Sequence, residues 1–177
     1  MDIILFYFNN KYIGYSFHQK TCIMITNLKE SECAILLANN YICRLSYIYH
    51  DRPFIVPMTY YFDKEKKIFI GYSADGHKTK AMRKNNKVSL QISEKNNDDN
   101  CVSVLAHGLY KECSGSEEKK YLHEFTTGVK QLILKKEDKN YYCISDFSNK
   151  VDNKNKSIVF TISIDEITGK TVTKDNV

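Results

Sequence analysis

Residues 68–78 read IFIGYSADGHK, and this stretch decides how the chain is to be folded. An apolar run with strand character ends in Tyr72 and Ser73, passes through an Asp-Gly turn and delivers His77 and Lys78 to the basic helical stretch TKAMRKN. A strand-to-helix turn of this kind points unpaired backbone N–H groups and the positive end of the helix dipole at one spot. Ser73, His77 and Lys78 add hydroxyl and cationic donors there, around the Asp75-Gly76 turn. The outline is that of a phosphate site. The same turn also serves many proteins as nothing more than a helix cap.

Working outward towards the N-terminus, the chain from Tyr41 reads YICRLSYIYH, then DR, PFIVPMTYYF, DKEKK and IFIGY. Three β-rich runs joined by short polar turns predict an antiparallel meander. Pro57 falls in the middle of the second run. Proline has no N–H to give to a ladder, so it marks an edge or a bulge. The backbone groups of Met58, Thr59 and Tyr60 beside it are then candidates to meet a flat heterocycle, or the proline simply protects an edge strand. Arg44 shares a strand face with Ile42, Ser46 and Ile48, which makes it either a phosphate ligand or a rim residue in an ion pair.

Beyond the turn, KVSLQIS at 87–93 and CVSVLAHGLY at 101–110 predict two more strands, and a last strand, VFTISIDEITGK at 159–170, closes the domain. A helix is expected after Asn27, capped by it with Glu30 completing a box and with Leu28, Ile35 and Leu36 inward. The longest helix is expected from Ser116 to about Lys135, with Tyr121, Phe125, Val129 and Leu132 at helical spacing. A lysine- and asparagine-rich loop is expected over 135–156.

In order and spacing the chain resembles the flavin-binding split-barrel proteins, and within them the pyridoxamine-phosphate-oxidase-like group that includes nitroimidazole-resistance reductases. The resemblance rests on Arg44-Leu45, Pro53 through Pro57, Tyr60-Tyr61, Ile68-Phe69-Ile70, Gly76-His77-Lys78, Met82-Arg83, Val88 and VFTISIDEITGK at 159–170. It implies a mainly β, six-stranded antiparallel split barrel with flanking helices over 24–173, and residues 1–23 as an extension outside the match. It further implies FMN at the interface of a homodimer, its phosphate on Tyr72, Ser73, Gly76, His77 and Lys78 with Arg44, and its ring on Pro57, Met58, Thr59 and Tyr60. The expected function is an FMN-dependent oxidoreductase serving a small-molecule electron donor and acceptor. A non-catalytic flavin-binding or storage module and a haem-binding split barrel are the alternatives.

The chain also departs from the pattern. Gly71 stands where nitroimidazole-resistance reductases carry a histidine, implying a roomier site and slow nitro reduction. The Arg- and Pro-containing closing segment of the vitamin oxidases has no counterpart in TGKTVTKDNV. His77-Lys78 replaces an Arg-Lys pair, so one cation is a group that titrates near neutrality. No residue is singled out as catalytic.

Composition fits one domain of 177 residues. Six cysteines without C-x-x-C or zinc spacing read as reduced thiols in a cytoplasmic protein without a metal. IILFYF near the start is too short for a secretory core or a membrane span. The net charge of +5 is carried mostly by lysine, and the acidic ISEKNNDDN at 92–100 interrupts any basic stripe, which argues against nucleic acid. His107, beside Gly108, is a strand histidine of the kind that is usually structural. The chain offers no Ser/His/Asp set, no paired carboxylates and no Gly-rich nucleotide loop, which excludes the common hydrolases, P-loop enzymes and Rossmann proteins.

Overall fold

A computed structural model describes residues 21–95, 100–137 and 157–176. The elements, in order, are β1 (Thr21–Asn27), α1 (Glu30–Ala38), β2 (Ile42–Tyr49), β3 (Arg52–Asp63), β4 (Ile68–Ala74), α2 (His77–Lys84), β5 (Lys87–Lys95), β6 (Cys101–Glu112), α3 (Gly115–Glu137) and β7 (Ser157–Asn176). Residues 1–20, 96–99, 138–156 and 177 lie outside the described residues, and with them most of the loop expected over 135–156, whose first three positions belong to α3.

The strand order is β1-β7-β4-β3-β2-β5-β6, and β6 pairs again with β7. Six strands therefore close a ring, and every neighbouring pair in it is antiparallel. The seventh strand is an addition to the six expected: β1 pairs with the distal end of β7, from Thr21 opposite Asn176 to Asn27 opposite Lys170. This is why Asn27 caps no helix. The N-cap of α1 is Lys29, whose N–H donates to Glu32 Oε2 at 2.6 Å, and the buried positions are Cys33, Leu36 and Leu37, with Ile35 left exposed.

Alternation along the strands fills the barrel. Leu45, Tyr60, Phe69, Phe160 and Ile162 are fully buried in its interior. Burying each such side chain contributes on the order of 1.5 to 3 kcal/mol, set against the entropy of ordering the chain. The other face of β4 and β7 is covered by α3, where Phe125, Val129 and Ile133 pack with Ile70 and Val159. The buried stripe ends on Ile133, with the expected Leu132 beside it half-buried. Gly128 admits the ring of Tyr61, since a Cβ there would stand 2.2 Å from it.

The β2–β3 hairpin turns on His50 and Asp51, both with positive φ (48° and 58°), the backbone twist that suits a two-residue connection. Tyr49 pairs with Arg52, so the turn falls one residue earlier than expected.

The ring is thinly paired at two places: β2 meets β5 only from Arg44 opposite Gln91 to Ser46 opposite Ser89, and the second is the seam between β3 and β4. β3 pairs with β4 only from Tyr60 opposite Gly71 to Asp63 opposite Ile68; before Tyr60, β3 follows β2 alone, and after Gly71, β4 follows β7 alone. Tyr60 N–H donates to Tyr41 O at 2.9 Å, and antiparallel pairs alternate. Even-numbered residues of this part of β3 therefore bond to β2, while Pro53, Ile55, Pro57 and Thr59 turn their backbone groups to the open side. Both prolines of the chain lie at positions where no ladder bond is lost. Pro57 is an edge proline, as one of the two sequence readings had it.

Candidate functional site at the seam

The seam is capped by α2, which packs against β2 and sends Thr79, Ala81 and Met82 into the barrel core. Its N-cap is Gly76, with Lys80 N–H donating to Gly76 O at 3.0 Å. Asp75 and Thr79 fasten the turn. Thr79 Oγ1 accepts from Gly76 N–H and lies 2.9 Å from Asp75 Oδ1, which also accepts from Arg83 Nη1 at 2.9 Å. The Thr79 hydroxyl first, and Arg83 after it, hold the Asp75 carboxyl below its ordinary value. Arg83 is anchored in turn on Glu112 Oε1 at 2.6 Å.

Once these bonds are made, the N–H groups of His77, Lys78 and Thr79 donate to no described residue. Orphan amides at a helix start attract anions. Lys78, in the same turn, is half-buried, and its ammonium makes no hydrogen bond or ion pair with any described residue. Desolvation lowers its pKa, offset in part by the nearby Cys43 thiol. Cys43 itself is pushed up to about 12 by burial, so it stays a neutral thiol.

His77 is fixed from β2 and β3. Its Nδ1 lies 3.1 Å from Tyr47 Oη, and its ring centroid is 4.7 Å from Tyr49 and 5.0 Å from Phe54. None of these three aromatic residues is signalled by the turn sequence, because they reach His77 only through the fold.

The other predicted residues divide by position. Ser73 lies just before the turn with its hydroxyl donating to Ala74 O at 2.9 Å. Pro57 and Thr59 border the open side of β3. Met58 and Tyr60 do not: both side chains are buried in the barrel, the Tyr60 hydroxyl donates to Leu37 O at 2.9 Å, and their backbone groups face β2. Tyr72 points to the α3 side, against Phe125, and donates to Ser157 Oγ at 2.8 Å. Arg44 is on the outer barrel face, where its Nη1 donates to the neutral Gln91 Oε1 at 3.1 Å, and it forms no ion pair with any described residue. His107 shares that outer face, 2.8 Å from Ser89 Oγ.

Gly71 corrects an expectation. It is buried, and a Cβ on it would stand 2.4 Å from Phe160 Cζ. The position is filled by a neighbour's ring and leaves no additional room for a ligand.

Among the described residues, no group of His, Cys, Asp and Glu is arranged to hold a metal ion, and no helix is long and apolar enough to cross a membrane. Cys33, Cys43 and Cys113 are buried free thiols and Cys101 an exposed one; the side chains of Cys22 and Cys143 fall outside the described residues. A cleft of about 570 Å³ between α3 and the β3–β4 turn includes Lys66, but that lysine is already paired with Asp63.

A six-strand ring thinly paired between β2 and β5 and opened between β3 and β4, with a helix start set over the latter seam, defines a split β-barrel. The chain belongs to the pyridoxamine 5'-phosphate oxidase family, whose model matches residues 29–171. It is similar to a FAD-binding protein from Mesorhizobium loti, with a TM-score of 0.68 and 22% identity over 86% of this chain and 99% of that one. A candidate 5-nitroimidazole antibiotic resistance protein from Bacteroides thetaiotaomicron aligns with a TM-score of 0.60 and 14% identity over 90% and 96%. An uncharacterised protein of Rhizobium meliloti is 28% identical over 146 residues, 81% of this chain and 92% of its own length.

Proposed function

We propose that this protein binds FMN at the seam and acts as an FMN-dependent oxidoreductase. The observation that carries the reading is Lys78: a half-buried cation with no hydrogen-bond or ion-pair partner among the described residues, in the same turn as three helix-start amides that donate to none of them. A buried charge left unpaired is costly, and a phosphate monoester fits it by charge, hydrogen-bond sense and place. Membership of the pyridoxamine 5'-phosphate oxidase family and likeness to a FAD-binding protein support a flavin as the group attached to that phosphate.

In this reading Lys78 and the amides of His77, Lys78 and Thr79 hold the phosphate, with Ser73 within the same turn. The open side of β3, at Pro57 and Thr59, offers backbone carbonyls and the Thr59 N–H to the polar edge of the ring. A flavin held there would supply two-electron redox chemistry. The chain's own work is to anchor, orient and keep the cofactor in place between a small-molecule donor and acceptor in the cytoplasm. A second copy of the chain completes the assembly as a homodimer, supported by the outward Ile42, Ile48, Ile55, Leu105 and Leu109, which leave an apolar barrel face exposed.

The test is the absorption spectrum of the purified protein, followed by chromatography of the released nucleotide. A flavin spectrum with FMN released supports the reading; released FAD corrects the nucleotide. A colourless protein that takes up no FMN on titration, or a haem spectrum, overturns it. Rapid mixing with NADH or NADPH then separates an enzyme from a flavin carrier. Bleaching followed by reoxidation by oxygen, a quinone or a nitro compound supports turnover, and a flavin bleached only by chemical reductants supports the carrier.

A further inference from the structure

Tyr47 occupies an inward position of β2 and is 3% exposed. Its ring lies parallel to that of Phe54, its register partner on β3, at 5.5 Å between centroids and 8° between planes. The stack leaves the phenol one freedom, rotation of its O–H, and puts the oxygen 3.1 Å from His77 Nδ1. Burial raises the Tyr47 pKa, so the hydroxyl remains protonated. His77 lies on the exposed end of this column, with Tyr49 edge-on to it at 4.7 Å. Tyr49 is itself braced by His50 at 4.1 Å and by Lys84, whose Nζ is 5.4 Å from the ring centroid.

We infer that Tyr47 is a positioning residue, which aims His77 Nε2 at the cofactor phosphate through a hydrogen bond to Nδ1. The inference rests on the FMN reading above. The two nitrogens of an imidazole lie on opposite edges of the ring, so holding Nδ1 against the barrel end turns Nε2 away from it. When the phenol donates to Nδ1, the neutral ring carries its proton on Nε2. His77 then offers its Nε2–H to an anion.

Titrations of the apoprotein with FMN and with riboflavin, which lacks the phosphate, test this in wild type, Tyr47→Phe, His77→Ala and the double variant. Tyr47→Phe keeps the ring stacked on Phe54, and its thermal melt serves as the check that the fold is intact. The expected result is a loss of FMN affinity of about three- to tenfold in Tyr47→Phe, as for one neutral hydrogen bond. Riboflavin affinity should not change, and Tyr47→Phe should cost nothing further once His77 is alanine. Nitrogen-15 spectra of wild-type His77 should show the Nε2–H tautomer, and those of Tyr47→Phe a mixture. Equal losses for FMN and riboflavin, or a full loss in the His77→Ala background, would overturn the inference. Wild type that binds FMN while Tyr47→Phe matches it refutes the role of Tyr47 alone. Wild type that binds no FMN refutes the cofactor reading beneath it.

Discussion

Gly71 on β4 and Phe160 on β7 are register partners, and the Phe160 ring occupies the space that a side chain on residue 71 would need. Substitution of Gly71 by alanine or histidine is therefore expected to act on the barrel before it acts on any ligand. Forcing atoms into a filled core costs about 1 to 3 kcal/mol, so Gly71→Ala should lower the urea midpoint visibly. Combining it with Phe160→Leu should cost less than the sum of the two single changes, since neighbours that share one space are not additive. A Gly71→Ala protein that unfolds at the wild-type midpoint would disprove the contact.

Lys78→Met removes a cation that no described residue pairs. FMN affinity should fall roughly ten- to a hundredfold, the cost of one charge-assisted contact of about 1.5 to 3 kcal/mol, while the apoprotein should gain stability. The pH dependence has a definite sign. Folding lowers the Lys78 pKa from its ordinary 10.5, so the unfolded chain holds that proton more tightly than the folded one. Wild-type apoprotein should therefore gain stability as pH rises through the folded value, the gain ending near 10.5. Denaturation of Lys78→Met over the same alkaline range should lack that component.

Thr79→Val keeps the buried shape at position 79 and removes the hydroxyl that binds Gly76 and Asp75. Loss of such a cap costs about 0.5 to 2 kcal/mol, and FMN affinity should drop with it because the turn that presents the amides loosens. Asp75 adds an acid dependence. Its folded pKa lies below the ordinary 3.8, so its contribution is complete above that value and fades as pH falls through the folded one. Acid titration of Asp75→Asn by circular dichroism should show that step missing.

Ile55 is 68% exposed on the outer barrel face. If a second copy covers that face, Ile55→Lys should shift the light-scattering mass from dimer towards monomer with the monomer still folded. An unchanged dimer would place the interface elsewhere.

Much of this was readable in advance where neighbours in sequence are neighbours in space. The α2 turn is contiguous, so Gly76, His77 and Lys78 declare themselves. The strands of the meander declare themselves too, because β-branched and aromatic runs are bounded by polar turns. What the sequence hides is parity and partnership. Pro57 marks the open edge, but only the odd-numbered residues beside it face that edge, which removes Met58 and Tyr60. Strand β1 stays hidden because Ile23, Met24 and Ile25 are all exposed, so no alternation announces it. Gly71 reads as empty space until Phe160 arrives from β7, and Tyr47 reads as plain core until α2 brings His77 to it.

β7 lies against three other strands, bonding β4 along its first residues, β6 along its middle and β1 at its far end. It is also the last of the described strands in chain order. A nascent chain that has completed β6 thus carries two raw margins, on β4 and on β6, and the partner for both has still to be made. Contacts this distant in sequence form slowly, and unpaired margins on a waiting intermediate invite association with other chains. The dependence of the whole ring on one late strand makes soluble yield during synthesis a property of β7: its weakening should appear first as aggregation in the cell, before any loss of stability in the finished protein.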